Sequence, residues 1–152
     1  MTFEQTVNLP APPDRVWSFV MDVPSVAKCM PGVESVEAIG NDKYRATVKV
    51  RVGPIGLTMQ SEISIVQRDE AARTATLQVE GNDKRVGGAI KATMTMKLDP
   101  APEGTAMHVK TDAQVMGRIG DFGQPMIRKK ADQMLQEVGA NMRAALAAST
   151  AG

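Results

Sequence analysis

The feature that most constrains this chain is its last quarter. From about Pro125 to Ala148, apolar residues recur at helical spacing: Ile127, Ala131, Met134, Leu135, Val138, Met142, Ala145 and Leu146. Arg128, Lys129, Asp132, Gln136 and Arg143 fall mostly on the other side. A single long amphipathic helix cannot cover its own apolar stripe, so the rest of the chain must do so. Most of that remainder alternates with period two, and the expected object is a curved sheet gripping one helix.

The alternation is cleanest in Lys43–Val52. Tyr44, Ala46, Val48, Val50 and Val52 share one face, and Lys43, Arg45, Thr47, Lys49 and Arg51 the other. This is the pattern of an antiparallel strand with one wet face. The first strand, Thr2–Leu9, sets Phe3, Gln5, Val7 and Leu9 on one face and is ended by Pro10. Pro12, Pro13 and Asp14 suit a helix start, with Val16, Trp17 and Val20 as its buried stripe. Pro24 then interrupts the path, and Ser25–Met30 is expected to form a second short helical piece ending before Pro31-Gly32. Further strands follow, with inward rows Leu57, Met59, Ser61, Ile63 and Ile65, then Ala75, Leu77 and Val79. After a polar connection at Gly81–Arg85 come Ile90, Ala92, Met94, Met96 and Leu98. Met107, Val109, Thr111, Ala113 and Val115 complete the set. Gly87-Gly88 is expected to mark a bulge or sharp bend, Asp99–Gly104 a hairpin connection, and Gly117–Gly123 a loop. Gly139 inside the long helix costs about 1 kcal/mol relative to alanine, which points to close packing or a bend there.

The predicted fold is therefore α+β: a seven-stranded curved antiparallel sheet around a long C-terminal helix, with two short helices between strands 1 and 2. A single domain over 1–149 and a frayed tail over 150–152 are expected.

Composition narrows the function classes. A net charge of +1 and five aromatic rings give no support to a nucleic-acid surface. One cysteine and one histidine cannot build a usual zinc site or an internal disulfide. The first twenty residues lack a signal-peptide pattern, and no apolar run approaches the roughly 20 residues that span a bilayer. The expectation is a cytoplasmic protein, at most peripheral to the inner face of the membrane. Eleven methionines against five aromatic residues admit two readings: a core filled with Met, or an adaptable wall around an apolar ligand.

Several motifs together carry a family resemblance. They are Leu9-Pro-Ala-Pro-Pro-Asp-Arg-Val-Trp17, Asp22-Val-Pro24, Cys29-Met-Pro-Gly32, Val52-Gly-Pro54, Gly104-Thr105, and Val115-Met-Gly117 before Phe122-Gly123. With this order of elements, the chain resembles the helix-grip superfamily of START domains, polyketide cyclases and birch-pollen-type allergens. Within it, the chain is similar to the family of the small accessory G subunit of carbon monoxide dehydrogenase. The resemblance implies a non-catalytic partner of molybdenum hydroxylases, involved in their maturation or membrane attachment. It also implies an apolar ligand, with a respiratory quinone as the candidate, under the long helix; no tightly bound cofactor is expected. Many members carry a C-terminal extension that reaches the membrane. This sequence stops at Gly152, which leaves either a shortened chain or one that does not attach that way.

The residues themselves point the same way. Met59, Ile63, Leu77, Val79, Met94, Met96, Met107, Val109, Ile127 and Met134 are expected to converge beneath the helix, with Gln5, Ser61 and Thr111 as the few polar groups among them. A mostly apolar pocket with a handful of orienting polar groups suits ligand binding. It does not suit general acid–base catalysis. A cyclase or aromatase-type enzyme would instead need Glu62, Glu80 or Asp112 turned inward, and a ligand-free chaperone would have a filled interior. His108 is expected on the outer face and Cys29 as a small buried hydrophobe. The row Lys43, Arg45, Lys49 and Arg51 is either a solvated face or a docking stripe for an acidic partner.

Overall fold

The structure, a computed structural model, describes residues 1–151, with side chains through residue 148. The chain runs β1 (Thr2–Leu9), α1 (Pro13–Met21), α2 (Val23–Ala27), β2 (Val33–Gly40), β3 (Lys43–Val52) and β4 (Ile55–Asp69). It continues through β5 (Thr74–Asp83), β6 (Gly88–Ala101), β7 (Gly104–Gly117), a short 3-10 helix (Arg118–Phe122) and α3 (Gln124–Ala151). The strands form one seven-stranded antiparallel sheet in the order β1-β7-β6-β5-β4-β3-β2. Consecutive strands are neighbours except for β1, which crosses to pair with β7. This is the helix-grip arrangement that the alternation and the terminal helix predict. Of the expected frayed tail over 150–152, the helix backbone reaches Ala151; Gly152 and the side chains of 149–152 lie outside the described residues.

Local departures from the sequence reading have simple causes. The path is interrupted as expected, between Met21 and Val23, and Pro24 sits in the first turn of α2, where its missing N–H has no partner to lose. The expected second helical piece, Ser25–Met30, therefore begins earlier, at Val23, and ends in single turns at Cys29 and Met30. The β5–β6 connection is tighter than expected because Asp83, in the expected polar connection, is still in the ladder opposite Gly88. Gly87-Gly88 is not a bulge: Gly87 closes the turn by donating its N–H to the Asp83 carbonyl at 2.9 Å. The register shifts fall instead between Val33 and Ser35, Ala38 and Gly40, and Ile65 and Gln67. The β6–β7 hairpin is also tighter, with Pro100 opposite Thr105 and Ala101 opposite Gly104. The expected loop after β7 is a 3-10 turn that buries Ile119.

The interior divides into two apolar clusters. The larger joins Leu9, Ala11, Val16, Trp17 and Val20 to Met96, Leu98, Met107, Met142 and Leu146. The smaller, at the other end of the sheet, is Val52, Leu57, Met59 and Ile119, with Phe122 packed against it. Three contacts hold α3 in the grip. Asn141 Nδ2 donates to the Cys29 carbonyl at 2.8 Å. Arg128 donates to the Thr2 carbonyl at 3.1 Å and lies 4.8 Å from the centre of the Phe3 ring. Gly139 is buried against Val7, where a Cβ would stand 3.3 Å from Val7 Cγ1, so its missing side chain serves close packing.

Candidate functional site

Between the two halves of the grip lies a cavity of about 120 Å³. Its floor is set by sheet register. Phe3, Thr111, Met94 and Leu77 stand opposite one another across β1, β7, β6 and β5; Gln5, Val109 and Met96 form the adjacent row; Val7 and Met107 the next. The roof is Leu135, Val138, Gly139 and Met142 of α3, one face at i, i+3, i+4 and i+7. Val20, Met21 and Val26 of α1 and α2 close the side.

Five of the ten expected lining residues are brought together here: Leu77, Met94, Met96, Met107 and Val109. The other five are not. Ile63 and Val79 belong to the row Ala113–Ala92–Val79–Ile63–Tyr44, one step further along the sheet than the cavity floor. Met59 lies further still and packs in the smaller cluster. Met134 is on the right turn of α3 but at the edge of the roof, about 40° beyond Val138 at 100° per residue. Ile127 faces the same way as Val138 but lies about two turns nearer the helix start than the first roof residue, where its N–H bonds to the Gly123 carbonyl. Face alternation alone could not say how far along the sheet the cavity extends. The roof residues were visible in the helical stripe; the contribution of α1 and α2 left only the signal of their apolar content.

Of the polar groups expected inside, Gln5 and Thr111 line the cavity. Ser61 does not; it lies beside Gly81 in the row beyond Val79. Gln5 is opposite Val109, and Thr111 is two residues along from Val109, so the two polar side chains are diagonal neighbours on the order of 7 Å apart. No Asp, Glu, His or Cys lines this cavity.

The ionisable groups lie elsewhere. Glu62 is 4.0 Å from Arg45, Glu80 is 3.9 Å from Lys91, and Asp112 accepts a hydrogen bond from Thr2, all on the exposed face. His108 is also outward, with Nδ1 3.0 Å from Thr6 Oγ1 and Nε2 3.2 Å from Asp99. Cys29 is buried; burial pushes its thiol pKa up, away from the reactive thiolate. Asp83 is the one buried carboxylate among the described residues. It accepts the Thr58 N–H at 2.8 Å, and the N–H groups of Arg85 and Val86 at 2.9 and 3.2 Å. These bonds, that from Thr58 foremost, hold its pKa below the ordinary value against the opposing effect of burial. Its role is to fasten the β5–β6 turn to β4.

The expected docking row is neutralised in its middle. Arg45 lies between Glu37 and Glu62 at 3.7 and 4.0 Å, and Lys49 is 3.1 Å from Glu34. Lys43 and Arg51, at its two ends, make no ion pair among the described residues. Nor do those residues hold a group of three or more His, Cys, Asp or Glu fit to bind a metal, or a helix long and apolar enough to cross a membrane.

With this geometry in place, residues 6–147 match the family described as the G subunit of carbon monoxide dehydrogenase (CoxG). The chain belongs to the CoxG family. No curated protein matches it. Among solved structures, a conserved protein from Geobacillus kaustophilus is 23% identical, with a TM-score of 0.89 over 98% of this chain and 97% of the other. Ara h 8.0201 is 20% identical, with a TM-score of 0.71 over 97% and 98% of the two chains. The ZhuI aromatase/cyclase of Streptomyces sp. R1128 is 19% identical, with a TM-score of 0.67 over 96% and 93%. At these identities the likeness is one of fold, and this CoxG protein shares the helix-grip scaffold with proteins of different functions.

Proposed function

We propose that this CoxG protein is a non-catalytic accessory of a molybdenum hydroxylase of the carbon monoxide dehydrogenase kind, and that it holds an apolar, ring-bearing carbonyl compound, a quinone by preference, beneath α3. The observation that carries this reading is the cavity lining: thirteen of the sixteen lining residues carry hydrocarbon or thioether side chains, and Gln5 and Thr111 alone are polar. Both can donate a hydrogen bond to a ligand carbonyl. The lining holds no carboxylate, imidazole, amine or thiol to move a proton or to activate the Thr111 hydroxyl, so a cyclase-type reaction has no acid or base to carry it.

Size sets the terms of binding. Engineered apolar cavities of about 150 Å³ admit benzene, while drug-sized ligands need about 300 Å³ or more. At about 120 Å³ the cavity takes a substituted ring only if its walls yield. Met21, Met94, Met96, Met107 and Met142 are the side chains suited to yield, since methionine has three rotatable bonds and no branch. The same small volume favours a second reading, a docking chaperone that holds nothing.

Trp17 separates the two. It is the only tryptophan and packs in the same cluster as Met96, Met107 and Met142. Titration with a short-chain ubiquinone should quench its fluorescence saturably at one quinone per chain. Quenching that rises linearly without saturation, as for free collision, would leave the ligand-free chaperone.

A further inference from the structure

The basic row along β3 is paired with carboxylates in its middle, and one of its two unpaired ends, Arg51, lies beside α3. There the β3–β4 turn and the first two turns of α3 form an open groove of about 550 Å³, lined by Arg51, Gly53, Met126, Lys129 and Lys130 among others. Met126 reaches across it to Gly53: a Cβ on Gly53 would stand 3.4 Å from the Met126 sulfur. The groove is thus floored by a thioether and rimmed by three cations.

None of the three cations makes an ion pair among the described residues; Arg51 donates only to the Pro54 carbonyl, at 3.4 Å. No carboxylate lines the groove, and α3 has no acidic residue in its first turn to offset the positive end of its dipole. Net charge of the chain is only +1, so this concentration is local and not a reflection of a basic protein. Unpaired cations on a concave surface raise the encounter rate of a negatively charged partner and select against a positive one.

We propose that this groove receives a carboxylate-rich segment of a partner protein. Charge complementarity chooses the sign of the occupant. Shape chooses a chain over a lipid surface, because a channel between a turn and a helix admits an extended segment, whereas a bilayer meets projecting surfaces. The site is separate from the cavity, sharing no lining residue with it.

The test uses the full chain and a fluorescein-labelled decapeptide of alternating glutamate and alanine, with a glutamine–alanine peptide as its uncharged counterpart. Fluorescence anisotropy should report binding of the glutamate peptide alone. Raising salt from about 50 to 300 mM should weaken it, as screening requires. Reversing the groove with Arg51→Glu, Lys129→Glu and Lys130→Glu together should weaken it about tenfold or more. Lys43→Glu, at the far end of the same strand, should leave it unchanged. Arg51 and Lys129 are exposed and Lys130 is half-buried, and Lys129→Glu alone serves if the triple variant melts early. Equal affinity of the wild-type and reversed chains would overturn the proposal, as would failure of the glutamate peptide to bind at low salt. Co-sedimentation with phosphatidylglycerol vesicles in the absence of peptide binding would overturn it in favour of a membrane surface.

Discussion

The Thr105 hydroxyl donates to the carbonyl of Ala11 at 2.7 Å, and both residues are buried. This bond joins the Pro-rich segment after β1 to the start of β7, ninety-four residues away in sequence. It explains two sequence motifs at once. The turn into α1 leaves a carbonyl without a ladder partner, and the Gly104-Thr105 pair meets it. Gly104 has φ of 140°, and a Cβ there would stand 2.6 Å from the Leu9 and Ala11 carbonyl oxygens, so only glycine lets the strands approach. Thr105→Val keeps the shape and removes the donor, leaving the Ala11 carbonyl buried and unpaired. Chemical denaturation should show a loss of about 1–3 kcal/mol. An unchanged midpoint would mean that the carbonyl finds another partner.

Asp83 makes acid sensitivity a specific prediction. Its folded-state pKa is depressed below the ordinary aspartate value of 3.8, first by the Thr58 N–H. A group depressed on folding stabilises the fold fully above its unfolded value and loses that contribution as pH falls through its folded value. Between neutral pH and about pH 4 the contribution is therefore intact, and it drains away below that. Asp83→Asn should be less stable than wild type at neutral pH, and the gap should narrow below about pH 4. Parallel stability curves across that range would assign the acid loss to other carboxylates.

Gly139 tests the closeness of the grip. By helix propensity alone, Gly139→Leu should stabilise α3 by nearly 1 kcal/mol. The contact with Val7 reverses the sign, because inserting a large side chain into a packed interface costs about 1–3 kcal/mol. Thermal unfolding should show a lower midpoint, and a higher one would mean that α3 stands off the sheet.

Much of the fold was legible because each strand carries its own alternation and the terminal helix its own stripe. Those signals are local. Alternation assigned Met94, Met107 and Val109 to the inner face, and equally Met59, Ile63 and Val79, since it cannot measure distance along the sheet. That distance depends on register, and register depends on which row meets α3 and where the 3-10 helix plugs the other end with Ile119. The basic row was legible too, but its neutralisation was not. Glu34 and Glu37 lie on β2 and Glu62 on β4, and only strand pairing brings them to Lys49 and Arg45.

The cavity's walls carry a prediction of their own. Met94→Ala removes a flexible side chain from the floor, and such truncations cost about 2–5 kcal/mol when the site is fully buried. Met94 is only partly buried, so the lower end is expected. The enlarged space should bind a short-chain quinone more tightly than wild type does. Val109→Phe, which fills the same space from β7, should abolish the binding. Equal affinity in all three chains would place the quinone elsewhere.

The central claim, a quinone-like molecule beneath α3, is tested most directly by mass spectrometry of organic extracts from chain purified gently out of a quinone-producing host. An isoprenoid quinone is expected at close to one per chain, absent from extracts of Val109→Phe prepared in parallel. Extracts free of quinone, from a chain that also fails to take up added quinone, would contradict it.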